Sequence, residues 1–295
     1  MRIAALVITY NRCTLLKECI SGLRNQRHKL DKIVVVDNGS TDESPNWLDE
    51  QKDLVVIHQD NQGSSGGQYV GLMWCYNAGF DWVWTMDDDV EPQLDALANL
   101  VKEIDPQVGC IVPGRTYTDG TMVAGHEQVI NTRWLTRFMF LGPSDKYIEK
   151  MTFEGPLISR KVIPHSLRSL KDYFILYDDV DFAYKLSRMS KIVFCPAALM
   201  IKKIKILEDF FVPGNEWKQY YRFRNQILFV LNNFQLHFVV PMIYLEFLNI
   251  RAVLHHVSKR PRMYSYVSVY CRALLHAFTG KRGEVYTRRS NPWCA

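Results

Sequence analysis

Four short apolar runs in the first ninety residues constrain the fold of this chain more than any other feature. The runs are residues 3–9, 32–36, 54–57 and 82–86. Each run has the length of a buried strand, and the segments between the runs carry apolar residues at helical spacing. Short buried strands that alternate with helices are typical of a parallel sheet flanked by helices. The sequence therefore predicts an α/β fold.

A polar segment lies at or just after the end of each of these runs. They form the segments 9–12, 37–42, 61–67 and 87–89. In an open α/β sheet, ligands bind in the crevice beyond the carboxyl ends of the strands, so we expect these segments to meet at one edge. They contain neither the P-loop of kinase-type NTPases nor the glycine fingerprint of dinucleotide enzymes. The pattern predicts another kind of nucleotide pocket, in which Gly66 and Gly67 let the backbone approach a ligand.

Three consecutive carboxylates, Asp87, Asp88 and Asp89, end the fourth apolar run. Adjacent like charges need a counter-charge, and a hard divalent cation with oxygen ligands is a natural one. An alternative is the acidic start of a helix, because Glu91 and Pro92 open a helical pattern that Asp89 could cap. A cap explains one aspartate, whereas a cation explains the whole set.

The cysteines and the N-terminal residues indicate the cellular compartment in which we expect the protein. The seven cysteines are odd in number and scattered, without a CxxC pair. This argues against a disulfide framework or a zinc site and favours a reducing cytosol. The apolar run near the N-terminus is short and leads into a polar turn, so we expect no signal peptide. A chain of 295 residues suits one large domain, or one domain with a C-terminal extension.

The C-terminal part has a different composition. Residues 251–295 carry nine lysines and arginines, several aromatic residues and one acid, Glu284. The preceding stretch, 227–248, is apolar but interrupted by polar residues, so we interpret it as an interfacial or acceptor-domain helix pair and not as a membrane span. A basic, aromatic tail suits an anionic membrane surface. A helix packed on the core with a solvated basic face is the alternative, and we expect no nucleic-acid partner.

In chain order, the segments VITYNR, VVVDNGSTD, NQGSSGGQYVGL and MDDDV resemble the nucleotide-sugar half of family 2 inverting glycosyltransferases with the GT-A fold. The resemblance continues through FEGPLISRKVI, FILYDDVDFAYKL and YYRFRNQILF and covers roughly residues 2–232. It implies a Rossmann-like, mostly parallel sheet flanked by helices. The catalytic domain would span residues 1–225, and a helical, basic and aromatic extension would span residues 226–295.

The resemblance implies a role for each polar segment at the sheet edge. Asp37 would contact the nucleobase, and Asp88 would face the sugar or ribose. Asp87 and Asp89 would hold Mn²⁺ or Mg²⁺, which bridges to the diphosphate and stabilises the leaving group. The complete set implied for the nucleotide sugar is Thr9, Tyr10, Arg12, Asp37, Asn61, Gly66, Gly67, Asp88 and Lys202.

Lys202 departs from the family pattern. Members usually carry a metal-binding histidine six residues after a proline, and here Pro196 is followed at that spacing by Lys202. A protonated lysine cannot bind a metal. Lys202 could instead pair directly with the diphosphate, or the register of the motif could differ, or the lysine could lie at the surface. The metal dependence of the protein therefore stays open at this point.

The acceptor side is implied by a later acidic pair. Asp179 matches the position of the base that takes the acceptor proton, with attack from the opposite face of the sugar giving inversion. Asp178, Tyr177 and Gly155 would bind the acceptor. An additional interpretation of the acidic pair is the negatively charged first turn of a helix.

The triple aspartate is most similar to galactofuranosyltransferases, whereas related rhamnosyltransferases more often carry D-Q-D-S. The resemblance thus implies transfer of galactofuranose from UDP-galactofuranose to a lipid-linked surface glycan such as an O-antigen or capsule unit. The enzyme would be cytoplasmic and peripheral on the inner face of the cell membrane. A dTDP-rhamnose-dependent transferase and a non-catalytic nucleotide-sugar-binding protein are the alternatives.

Overall fold

The computed structural model describes residues 1–123, 128–130, 138–140, 147–148, 151–168, 170–205, 214–233, 246–255 and 265–285. The first part of the chain alternates strands and helices, as the sequence predicts. Its elements are β1 Ile3–Thr9, α1 Cys13–Arg24, β2 Lys32–Asp37, α2 Ser44–Asp49, β3 Leu54–His58, α3 Gly63–Asn77 and β4 Trp82–Asp87.

These four strands form the parallel part of the sheet. β1 pairs in parallel with β2 and β4, and β2 pairs in parallel with β3. Within this register Thr9 lies opposite Asp37, and Ile8 lies opposite Asp87. The apolar runs are buried on both faces, between α1 on one side and α3 on the other. The carboxyl ends of the strands therefore meet at one edge, and the predicted α/β arrangement is confirmed.

The rest of the sheet mixes parallel and antiparallel strands, in the order β3-β2-β1-β4-β10-β6-β11-β5 with β9 beside β11. A separate two-stranded sheet pairs β7 with β8. The elements are β5 Val90–Pro92, α4 Ala96–Lys102, β6 Val108–Tyr117, β7 Gln128–Ile130, β8 Phe138–Phe140, β9 Tyr147–Ile148, β10 Leu157–Ser159, α5 Ile163–Ser166, α6 Asp178–Ser187 and β11 Lys191–Lys202.

Two predicted helix starts are corrected by these bounds. The helix expected to open at Glu91 is absent there, because residues 90–92 form β5 and pair with the end of β11. α4 begins only at Ala96, so Asp89 does not cap a helix. The glycine-rich sequence predicts a helix from Gly66, and α3 begins three residues earlier, at Gly63.

Three further helices follow the sheet: α7 Glu216–Asn233, α8 at residues 246–255 and α9 Ser265–Phe278. α7 and α9 share an apolar cluster to which Tyr220, Phe223, Tyr266 and Tyr270 contribute. The predicted domain boundary at 225/226 falls within α7, and the division into domains stays a prediction. Residues 234–245 of the predicted interfacial segment lie outside the described residues. Among the described helices, none combines the length and apolar character that a membrane span requires.

Candidate active site

One cleft lies beyond the carboxyl ends of β1 and β4. Its volume is about 540 Å³, and it is closed on the far side by residues 174–179 and by the first turn of α7. The cleft is lined by residues predicted for the donor and by residues predicted for the acceptor. These are Thr9, Tyr10, Arg12, Asn61, Asp87, Asp88, Asp178 and Asp179.

Asp88 is the centre of a buried network on the donor side. Its carboxylate accepts hydrogen bonds from Thr9 Oγ1 at 2.8 Å and from Arg12 Nη1 at 3.0 Å, while Tyr10 N approaches at 3.4 Å. Only 3% of Asp88 is exposed. Burial raises the pKa of Asp88, although Arg12 and Thr9 oppose this effect. The network ties the turn after β1 to the turn after β4, which fixes one wall of the cleft.

Asp37 is also buried, at the end of β2. One oxygen accepts a hydrogen bond from the backbone N–H of Ser40 at 3.0 Å, and the other lies 2.9 Å from His58 Nδ1. The second imidazole nitrogen of His58 lies 3.1 Å from Asp49. Each carboxylate oxygen can accept a further hydrogen bond, so these contacts position Asp37 and leave it able to accept from a nucleobase.

Asn61 and the paired glycines shape the floor of the donor side. Asn61 Oδ1 accepts from Asn38 Nδ2 at 3.2 Å and from the backbone N–H of Gly63 at 2.9 Å. Gly66 and Gly67 lie in the first turns of α3. A Cβ at Gly67 would lie 2.7 Å from the Ile8 side chain, so the small residues let α3 lie directly against β1.

Three carboxylates lie close together at the donor side of the cleft. Asp87, Asp89 and Glu154 each place one oxygen within 4.8 Å of the others, which is close enough to share one cation. Burial and the charge of Asp89 raise the pKa of Asp87, while Lys202 lowers it. Sequence reasoning predicted both aspartates and missed Glu154. The glutamate belongs to the FEGPLI segment, from which only Gly155 was selected.

Lys202 lies within this carboxylate set. Its Nζ is 2.6 Å from Glu154 Oε1 and 3.3 Å from Asp89 Oδ2. The pairing of β5 with β11 places it there, because Lys202 is opposite Val90 in the register. The alternative of a surface lysine is wrong, since Lys202 is only 6% exposed.

Arg115 is a second buried cation that sequence reasoning missed. It lies on β6, is 2% exposed and pairs with Glu154. Burial lowers the pKa of Arg115 to about 9, against the raising effect of Asp179, Asp87 and Asp89. The guanidinium therefore stays charged at neutral pH, and Glu154 contacts a cation through each of its oxygens.

Gly155 directly follows the glutamate. Its φ of +104° belongs to a region that other residues adopt only with strain. Its N–H donates to Thr85 O at 2.9 Å, and its carbonyl accepts from Trp84 Nε1 at 2.8 Å. These bonds fasten the glycine, and with it the neighbouring Glu154, to β4, while acceptor binding by Gly155 stays a prediction.

The acidic pair on the acceptor side opens α6. Asp178 is buried, and Asp179 Oδ1 accepts a hydrogen bond from the Val180 backbone N–H at 2.8 Å. Burial and the negative charge of Asp179 raise the pKa of Asp178 to about 8. Both aspartates thus lie in the first turn of α6 and also line the cleft.

Two consecutive left-handed residues precede this pair. Leu176 has φ 67° and Tyr177 has φ 69°, and such angles are strained in residues with side chains. Asn225 of α7 donates from Nδ2 to the carbonyls of Ile175 and Leu176, both at 2.8 Å. This contact holds the turn that aims Asp178 and Asp179 into the cleft. Sequence reasoning missed Asn225, although it lies in the YYRFRN segment of the resemblance.

The sequence is similar to those of known glycosyltransferases. The O-antigen chain rhamnosyltransferase RfbN of Salmonella typhimurium is 22% identical over 231 residues, which are 75% of this chain and 71% of the relative. The galactofuranosyltransferase GlfT1 of Mycolicibacterium smegmatis is 29% identical over 92 residues, which are 30% of each protein. The match to this second relative thus spans less than a third of its length.

A solved structure of S. aureus TarS, residues 1–349 in complex with UDP-GlcNAc, superposes with a TM-score of 0.62 at 17% identity. The superposition covers 95% of this chain and 82% of TarS. At this identity the likeness shows the fold alone, and it confirms the predicted GT-A fold. Residues 4–163 match the family described as Glycosyl transferase family 2. Since this match covers more than half of the chain, the protein belongs to glycosyl transferase family 2.

Proposed function

We propose that the protein is an inverting glycosyltransferase. It moves a sugar from a UDP-sugar, with UDP-galactofuranose as the first candidate, onto a hydroxyl of a lipid-linked surface glycan such as an O-antigen or capsule unit. The observation that carries the proposal is the single cleft shared by Asp88 with its network and by the Asp178–Asp179 pair. A donor bound at the first site would present its anomeric carbon toward the second.

The residues of this cleft support a one-step transfer. Asp179 takes the proton of the acceptor hydroxyl as the acceptor oxygen bonds to the anomeric carbon. The bond from that carbon to the diphosphate oxygen breaks, and its electron pair leaves with the diphosphate. Asp178 and Tyr177 position the acceptor, while Asp88 and Arg12 hold the sugar side of the donor. Attack from the face opposite the diphosphate inverts the anomeric centre.

The leaving diphosphate needs a positive counter-charge, and the cleft offers two ways to supply one. Asp87, Asp89 and Glu154 would hold Mn²⁺ or Mg²⁺, which would stabilise the charge that develops on the phosphate oxygens. One buried oxygen of this set, Asp89 Oδ1, has no hydrogen-bond donor within the described part of the chain. Lys202 would supply the charge without a metal. The proposed transfer holds with either cation.

The sugar is the finer part of the proposal. Three consecutive aspartates after an aromatic strand favour galactofuranose, and one relative is a galactofuranosyltransferase. A relative that covers more of the chain is a rhamnosyltransferase, which keeps dTDP-rhamnose as the second candidate. Turnover with UDP-galactofuranose, UDP-glucose, UDP-GlcNAc and dTDP-rhamnose would separate these candidates. We expect the highest kcat/KM with UDP-galactofuranose. A higher kcat/KM with dTDP-rhamnose would make dTDP-rhamnose the proposed donor instead.

The same experiment tests whether the protein is an enzyme at all. Each donor is offered with Mn²⁺, with Mg²⁺ and with EDTA, and both transfer and donor hydrolysis are measured. Asp179→Asn serves as the inactive control. Binding of UDP without turnover of any donor in the panel would contradict the proposed activity and leave a nucleotide-sugar-binding protein.

We also propose that the protein is cytoplasmic and works at the inner face of the cell membrane, where a lipid-linked acceptor would present its sugar. α8 and α9 support this through exposed apolar side chains, among them Phe247, Leu254, Leu275 and Phe278. The basic residues Arg272 and Lys281 lie close by in the chain and are exposed. Exposed apolar and basic side chains together favour an anionic bilayer surface.

Sedimentation with anionic liposomes tests this location. The wild-type protein should pellet at low salt and be partly released at high salt, because salt screens the attraction. Replacing Arg272, Lys281 and Arg282 by glutamine should reduce pelleting while donor hydrolysis persists. A wild-type protein that stays in the supernatant at low salt would remove the membrane from the proposal.

A further inference from the structure

The ammonium group of Lys202 lies where a divalent cation would have to bind. It donates to Glu154 at 2.6 Å and to Asp89 at 3.3 Å, and both acceptors belong to the carboxylate set that could share a metal ion. A cation at these oxygens already neutralises part of their mutual repulsion. The lysine and a divalent ion therefore compete for the same oxygens.

Both oxygens of Glu154 already contact a cation in this arrangement. Oε1 accepts from Lys202, and Oε2 pairs with Arg115. Asp89 Oδ2 contacts two cations, Lys202 at 3.3 Å and Arg12 at 3.5 Å. A divalent ion would thus share the oxygens of Glu154 and Asp89 with fixed positive groups, and the repulsion between the ion and these groups would weaken its binding.

Lys202 cannot easily withdraw to admit a metal. Its side chain is 7% exposed, and its backbone is held at the end of β11 by pairing with both β5 and β6. An ammonium pushed away from Asp89 and Glu154 would become a buried charge without its partners, which is strongly unfavourable. The arrangement of the strands therefore favours the lysine over a metal.

The same ammonium retains a donor for a ligand. A protonated lysine has three N–H groups, and within the described residues two of them donate to Glu154 and Asp89. Asp87 and Glu154 line the cleft, whereas Lys202 is not among its lining residues. The ammonium group contacts Glu154 and therefore lies directly behind this part of the cleft wall. An anionic ligand that approaches this wall would meet a positive charge held by protein carboxylates.

We propose that Lys202 takes the place of the divalent cation, so that this transferase binds its donor diphosphate and transfers the sugar without a metal ion. The inference rests on the proposed function. During transfer, the acceptor oxygen bonds to the anomeric carbon and its proton passes to Asp179. The carbon–oxygen bond to the diphosphate breaks with its electron pair on the diphosphate. Lys202 keeps its proton throughout and stabilises that negative charge by a charge-assisted hydrogen bond.

The test is the affinity for UDP, measured by calorimetry in EDTA and again in Mn²⁺ and Mg²⁺. Because the proposed site uses no metal ion, we expect the wild-type protein to bind UDP with the same affinity in all three conditions. We allow a difference of about twofold, which is less than 1 kcal/mol. A loss of about tenfold or more in EDTA would overturn the assignment of Lys202. Absence of UDP binding in every condition would overturn the proposed function, and the assignment with it.

Lys202→Met separates the charge from the volume of the side chain. It should lower UDP affinity by about tenfold or more, since a hydrogen bond to a charged group is lost, and leave uridine affinity unchanged. Lys203→Met is the matched control, because Lys203 pairs with Glu18 and Glu91 outside the cleft. Equal UDP affinity in Lys202→Met and wild type would overturn the proposal.

Two further variants keep the test decisive if removing the buried cation impairs folding. Lys202→Met/Glu154→Gln removes one negative charge together with the positive one and should fold while still binding UDP weakly. Lys202→His replaces the ammonium by a group that binds metals when neutral. We expect UDP binding by Lys202→His to become dependent on Mn²⁺, and metal-independent binding as tight as in wild type would contradict the role of the ammonium charge.

Discussion

The donor side and the acceptor side of the cleft are built in different ways. On the donor side, Thr9, Asp37 and Asp87 are the last residues of neighbouring parallel strands, and the strand register alone brings them together. On the acceptor side, Asp178 and Asp179 follow two left-handed residues that a distant helix holds. One side depends on the regular sheet, whereas the other depends on a strained turn and its support.

This difference predicts how each side responds to substitution. A side chain at the end of a buried strand keeps its place when one hydrogen bond is removed, because the sheet still holds its backbone. A strained turn lacks such a frame, and it relaxes when its supporting contacts are lost. We therefore expect donor-side variants to change affinity and acceptor-side variants to change turnover.

The largest effect should come from the base. Asp179→Asn keeps the size and most hydrogen bonding of the side chain but cannot accept the acceptor proton. Transfer should fall by at least about 100-fold, the usual contribution of a positioned base, while UDP affinity stays unchanged. Steady-state kinetics with a calorimetric binding control measure both quantities. Turnover near the wild-type rate would remove Asp179 from the mechanism.

A smaller loss should follow from the support of the turn. Asn225→Asp is nearly isosteric but lacks the N–H groups that donate to Ile175 and Leu176. We expect kcat to fall by about tenfold, since misplaced reacting groups lose rate steeply, and the free energy of unfolding to fall by about 2 kcal/mol for two lost hydrogen bonds. Donor KM should stay the same. A change in donor KM without a change in kcat would contradict the expectation that acceptor-side variants change turnover.

The corresponding donor-side variant is Thr9→Val. It removes the hydrogen bond from Thr9 Oγ1 to Asp88 and keeps the shape of the side chain, while Arg12 continues to hold the carboxylate. One such bond contributes about 1 kcal/mol, so donor KM should rise by about fivefold with kcat nearly unchanged. A fall in kcat as large as that in Asn225→Asp would show that both sides control turnover.

Stability and its dependence on pH should also respond to Asp178. The pKa of Asp178 is about 8 in the folded protein and about 3.9 in an unfolded chain. Between these values the folded state keeps a proton that the unfolded chain releases, so this group's contribution to stability is lost as the pH rises through the window. Asp178→Asn stays neutral and should reduce the fall in the thermal unfolding midpoint from about pH 5 to about pH 8, the same window. An unchanged slope would show that Asp178 ionises normally.

Some of the site could be predicted because it depends on local pattern. The apolar run of β1 and the polar residues that follow it are adjacent in the chain, and parallel pairing leaves one edge at which such residues meet. Asp87, Asp88 and Asp89 were found for the same reason. The strand bounds at residues 3–9 match the prediction at both ends, since a short buried run has few alternative structures.

Other features depend on contacts between residues far apart in the chain. Glu91 and Pro92 carry a helical pattern, yet they form β5 because the end of β11 pairs with them. Glu154, Arg115 and Asn225 became part of the site only through such pairings and packing. No local pattern marks a buried ion pair or a helix that holds a distant turn, because the free energy of those contacts comes from burial in the complete fold.

The sequence by itself determined the α/β class, the edge of the sheet at which the cleft lies, and most of the acidic residues of the cleft. It could do so because strand periodicity and the polar residues after each strand are local properties. The tertiary structure decided what those acidic residues contact. In the sequence Lys202 is only a departure from an expected histidine with several possible roles, and the pairing of β11 with β5 places it between Asp89 and Glu154. A buried charge takes its role from the partners that the fold puts around it.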